Sequence, residues 1–87
     1  MKYLKFEASW CGACKMIKPT LRKVEEAGIQ VEVVDAEHNT ELVTKFNIKN
    51  LPTVILVDDS HKEYYRFAGT RATSEEYLNI YQQFANV

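Results

Sequence analysis

Ala8-Ser9-Trp10-Cys11-Gly12-Ala13-Cys14-Lys15 lies where one periodicity in the chain gives way to another. Before it, residues 2–8 alternate, with Leu4, Phe6 and Ala8 on one side and Lys5 and Glu7 on the other, the pattern of a strand. After it, Cys14, Ile17, Leu21 and Val24 recur at helical spacing, Pro19 predicts a kink, and Gly28 predicts the stop. The two cysteines therefore open a helix. Unpaired N–H groups and the partial positive charge of a helix N-terminus favour thiolate over thiol, most strongly at Cys11. Cys14 follows one turn later, within reach of a disulfide. Cys11 reads as the nucleophile and Cys14 as the resolving thiol, with Lys15 and Lys18 able to add positive potential.

Other readings of the pair stay open here. A bridge across three positions closes too small a loop to restrain the unfolded chain, so a structural staple is a poor explanation. Zinc would need further ligands, and His38 and His61 stand 23 residues apart rather than at the close spacing of a zinc site. A soft-metal carrier for an ion such as Cu(I) also suits two cysteines at a helix start. An inert pair is the third alternative.

Outward from this junction, Ile29–Val34 predicts a second strand, with Gln30 and Glu32 on its polar side. Asn39 or Thr40 predicts the cap of a short helix carrying Leu42, Val43 and Phe46, ended by Asn47. Thr53–Val57 is apolar throughout, as a strand covered on both faces requires. Asp58–His61 predicts a turn, Glu63–Ala68 a returning hairpin strand, and Thr73 with Glu76 a capping box before a last helix bearing Tyr77, Leu78, Tyr81 and Phe84. The order β-α-β-α-β-β-α predicts an α/β fold, a four-stranded mixed sheet flanked by three helices. The 87 residues fit a single domain, 1–87. A net charge of −1 gives no general electrostatic reason to expect nucleic acid or an anionic membrane. No apolar run approaches the ~20 residues of a membrane-spanning helix, and the opening residues predict no signal peptide.

Trp10-Cys11-Gly12-Ala13-Cys14-Lys15 followed by Pro19, Leu51-Pro52-Thr53 before the apolar strand, and Gly69 after the fourth strand together resemble the thioredoxin superfamily. The resemblance spans nearly the whole chain. It implies a thioredoxin-like fold without the N-terminal strand and helix of full-length thioredoxin. It implies Cys11 and Cys14 as the redox pair, with Trp10, Gly12, Ala13 and Lys15 supporting them. Leu51, a cis-Pro52, Thr53 and Gly69 would form the substrate groove, where the main chain of Leu51 pairs with an extended peptide. Three departures stand out. Gly12-Ala13 replaces Gly-Pro between the cysteines, which points to a somewhat less reducing couple. Lys5 stands where thioredoxins carry a buried Asp six residues before the first cysteine. The missing N-terminal helix would leave the Lys5, Glu7, Gln30 and Glu32 face partly wet, with Lys5 at the surface pairing Glu32 across the strands. The trimmed plan is also similar to glutaredoxins, but Gly69-Thr70-Arg71-Ala72 lacks their glutathione-holding element.

The expected function is thiol-disulfide oxidoreduction, reducing protein disulfides through a Cys11/Cys14 cycle. A glutaredoxin-like or isomerase-type redox protein is the near alternative, and a peptide-binding or soft-metal-carrier domain the distant one. No cofactor and no metal is expected. The expected partners are disulfide-containing proteins and a separate reductase or dithiol donor, without nucleic acid or membrane, for a cytoplasmic monomer.

Overall fold

A computed structural model describes residues 1–85. Its elements run β1 (Lys2–Glu7), α1 (Gly12–Met16), α2 (Lys18–Glu26), β2 (Val31–Asp35), α3 (Thr40–Lys45), β3 (Thr53–Val57), β4 (Glu63–Ala68) and α4 (Ser74–Ala85). The four strands form one mixed sheet in the order β2-β1-β3-β4. β1 and β2 are parallel, while β3 runs antiparallel to both β1 and β4. α1 and α2 are two halves of one rod, so the expected three helices are present. The break falls at Ile17 (φ −91°, ψ 0°), with Pro19 in the first turn of α2. Proline lacks the N–H that a continuous helix would use there, and it is tolerated best where a new helix begins.

Alternation along the two central strands divides the core between the two faces of the sheet. Tyr3, Val54 and Leu56 pack with Ile17, Leu21, Val24, Phe67 and Tyr77 under α2 and α4. Leu4, Phe6, Ile55 and Val57 pack with Val34 and Phe46 on the face that carries α3. β3 is buried at all five positions, as its unbroken apolar run predicted. The Tyr3 hydroxyl donates to the Tyr77 carbonyl oxygen at 2.6 Å, and their rings meet edge to face at 5.3 Å. Burial pushes both phenols up, Tyr77 to about 12, so both stay neutral at physiological pH.

The local punctuation follows from side-chain chemistry. Gly28 takes φ +92° just past α2, and Asn47 takes φ +52° at the end of α3. The Thr73 Oγ1 accepts the Glu76 N–H at 3.2 Å while Glu76 Oε1 accepts the Thr73 N–H at 3.1 Å, completing the capping box. Asn39 occupies the N-cap of α3 but makes no cap bond. Its Nδ2 donates instead to the Asp35 carbonyl oxygen at 2.9 Å, which ties the end of β2 to the helix start.

Two expectations about the sheet are corrected. The β1–β2 register sets Glu32 opposite Leu4 and Val33 opposite Lys5, so Glu32 lies on the α3 face and Lys5 on the α2 face. Glu32 pairs with Lys2 at 2.6 Å, not with Lys5. Lys5 is not a surface residue: it is 2% exposed, and its Nζ lies 2.8 Å from Glu7 Oε1. Glu7 and Val33, on the same face, keep part of their exposure, so that face is partly wet although Lys5 itself is covered.

Candidate functional site

β1 ends at Glu7, and the chain turns through Ser9 and Trp10 into α1. The Cys11 N–H donates to the Ala8 carbonyl oxygen at 3.1 Å, which closes the turn. Cys11 is the N-cap of α1, in extended conformation (φ −88°, ψ 100°), and its Sγ accepts the Cys14 N–H at 3.1 Å. A sulfur thus fills the position where serine or aspartate usually caps a helix. No acidic residue stands in the first turn of α1 to oppose negative charge on that sulfur. Once the bridge is reduced, a thiolate at this position accepts that bond more strongly than a thiol does.

Cys11 and Cys14 are bridged, with Cα atoms 5.3 Å apart. Both are nearly covered, Cys11 at 6% exposure and Cys14 at 2%, in a small cluster with Ala8, against which Ala13 and Leu51 pack. Cys14 lies deeper because it shares the sheet-facing stripe of Ile17 and Leu21. Gly12 is open, and a Cβ built there meets nothing within 4 Å. Lys15 is exposed in the last turn of α1. Trp10 stands 70% exposed, an apolar surface at the approach to Cys11 rather than part of the core.

The Leu51–Pro52 peptide is cis. Leu51 reaches the cysteine cluster, Pro52 is buried, and the Thr53 Oγ1 donates to the Asn50 carbonyl oxygen at 2.6 Å. Gly69, at φ +85°, donates its N–H to the Pro52 carbonyl oxygen at 3.0 Å. Leu51 thus packs against the cysteine cluster, and Gly69 is bonded to Pro52. Among the described residues, the N–H and C=O of Leu51 take part in no hydrogen bond.

The histidines weighed as zinc ligands are engaged elsewhere. His38 Nδ1 lies 2.8 Å from Asp35 Oδ2, and the His61 ring lies beside Phe46. Met16, off the Cys14–Ile17–Leu21 stripe, is also 70% exposed.

Comparison with known proteins agrees with this geometry. The family model described as Thioredoxin matches residues 2–80. The chain is 37% identical over 57 residues to thioredoxin of Bacillus subtilis (strain 168), a match covering 62% of this chain and 55% of that protein. It is 40% identical over 67 residues to chloroplastic thioredoxin Y2 of Arabidopsis thaliana, covering 74% of this chain and 40% of that one. The chain thus spans about half the length of the curated relatives it matches. Thioredoxin 1 from Thermosipho africanus TCF52B superposes with a TM-score of 0.78 at 26% identity, over 99% of this chain and 96% of that one. With a capping cysteine, its buried partner and a cis-proline at the same sheet end, and with this family match over most of its length, the chain belongs to the thioredoxin family.

Proposed function

We propose that this chain is a thiol-disulfide oxidoreductase that reduces disulfides in proteins. The observation that carries the reading is Cys11 Sγ at the N-cap of α1, receiving the Cys14 N–H, with Cys14 buried behind it. In the reduced state the Cys11 thiolate attacks one sulfur of a substrate disulfide. A Cys11–substrate disulfide forms, the substrate S–S bond breaks, and the other substrate sulfur leaves as a thiolate. Cys14, deprotonated, then attacks Cys11 Sγ. The Cys11–Cys14 bond forms, and the second substrate sulfur departs with the electron pair. Two electrons have moved to the substrate, whose two thiolates take their protons from solvent, and a separate reductase or another dithiol restores the electrons.

The remaining residues supply the setting. Leu51 offers its free backbone groups to an extended substrate segment, between the sulfurs and the Pro52–Gly69 contact. Trp10 offers apolar surface beside the entry to Cys11. Ala13 in place of proline moves the couple toward a less reducing potential. A reductase of this kind works in a reducing compartment, and the cytoplasm fits that requirement.

The test is reduction of insulin by dithiothreitol, followed by turbidity, with wild type and Cys11→Ser. Wild type accelerates precipitation and Cys11→Ser matches the uncatalysed rate. Equal acceleration by both proteins defeats the proposal.

A further inference from the structure

Among the described residues β2 is the outermost strand on its side of the sheet, bonded only to β1. The register determines which of its backbone groups face outward. Gln30 accepts from the Tyr3 N–H at 3.0 Å, and the Ala36 N–H donates to Glu7 at 2.8 Å. In a parallel pair, alternate residues turn both backbone groups to the same neighbour, so Glu32 and Val34 share the phase of Gln30 and Ala36. Val31 and Val33 therefore turn their N–H and C=O groups outward, where they meet no backbone partner among the described residues. Val33 is also 57% exposed. The strand carries neither the lysine nor the proline that commonly blunts a free edge.

A cleft of about 250 Å³ opens beside this edge, between α2 and the sheet, walled by Val31 and Val33 and by Lys18, Arg22 and Glu25 of α2. The Lys5–Glu7 pair lines it too and cancels its own charge. Lys18 and Arg22, one helical turn apart, form no ion pair among the described residues, and neither does Glu25. Two free cations thus face one carboxylate.

We propose that the outer edge of β2 accepts an extended acidic segment of a partner protein as a fifth strand, its carboxylates meeting Lys18 and Arg22. An antiparallel strand exchanges four backbone hydrogen bonds with Val31 and Val33. The two residues opposite these valines place their Cβ atoms about 4.5–5.5 Å away on the same face, beside the cleft. The other face presents Glu32, already held by Lys2, so an acid there gains nothing. The favoured segment is acidic at every second position, on the α2 side only. This surface is separate from the cysteines and does not depend on their chemistry.

The test uses the full chain in its oxidised form, with amide NMR titration of two blocked pentapeptides. One alternates Thr and Glu, with Thr at both ends, and the other has Lys in place of Glu. The expected result is saturable shifts at residues 31–35 and at Arg22, with the Glu peptide bound about two- to fivefold more tightly, the range of one or two exposed ion pairs. Arg22→Glu, an exposed change on α2, reverses that preference. The proposal is overturned by shifts confined to Leu51–Gly69, by no saturable shift on β2, by a preference that Arg22→Glu leaves unaltered, or by self-association of the free chain through β2.

Discussion

Replacing Lys5 with methionine removes an ammonium group from a position that is 2% exposed and leaves its apolar stem nearly intact. The loss falls on Glu7. Among the described residues its Oε1, out of contact with solvent, accepts no hydrogen bond, and the Lys5 ammonium at 2.8 Å is its only compensation. Removing one partner of a fully buried ion pair costs about 3–5 kcal/mol. The Glu7 side chain is 27% exposed, so water recovers part of that through its other oxygen. A destabilisation of about 1–3 kcal/mol follows. For a chain of this size that lowers Tm by roughly 5–20 °C. Lys5→Met/Glu7→Leu removes both charges and returns to within about 1 kcal/mol of wild type, since an apolar replacement of a buried pair is often neutral or better. Urea unfolding followed by circular dichroism, on oxidised protein, measures all three. A single variant as stable as wild type would show that the ion pair does not compensate Glu7, and the reasoning would fail.

Two further perturbations probe the ends of the sheet. Asp35 is held below the usual carboxylate range by its hydrogen bond to His38, and the same bond raises the His38 imidazole above its usual value. The depressed Asp35 contributes stability present above its unfolded value of 3.8 and lost as pH falls through its folded value. The raised His38 contributes stability present below 6.5 and lost as pH rises through its folded value. The difference in unfolding free energy between wild type and His38→Gln is therefore greatest near pH 5 and smaller at pH 8 and pH 2.5. Gly69→Ala forces an alanine to φ +85° in otherwise open space, which costs about 1 kcal/mol of stability and disturbs the bond to Pro52. Denaturant unfolding alongside insulin reduction should show both losses.

The parts of the fold that were legible in the sequence are those where a local physical cause acts alone. Thr53–Val57 is apolar because both its faces are covered, and Thr73 with Glu76 satisfies its own helix end. Cys11 could be placed at a helix N-terminus because the hydrophobic period changes at that residue. What was illegible depends on pairing between distant segments. The phase of β2 against β1 is set by the crossover through α1 and α2, so alternation within Val31–Asp35 could not assign Glu32 to the α3 face. Nor could alternation within β1 distinguish a wet charge from a buried one, because Lys5 is covered by a helix distant from it in sequence. The break at Ile17 rather than at Pro19 reflects proline's tolerance in a first helical turn. Trp10 and Leu51 were named as site residues through the resemblance, and the structure places Leu51 against the cysteine cluster and Trp10 in solvent.

In the proposed cycle Cys11 attacks and Cys14 releases, and the mixed disulfide distinguishes these unequal roles. Cys14→Ser and Cys11→Ser are each reduced, mixed with an oxidised protein substrate, quenched with acid and mapped by mass spectrometry. A persistent adduct is expected on Cys11 in Cys14→Ser and little or none on the buried Cys14 in Cys11→Ser. Adducts forming at equal rates on both cysteines would contradict it.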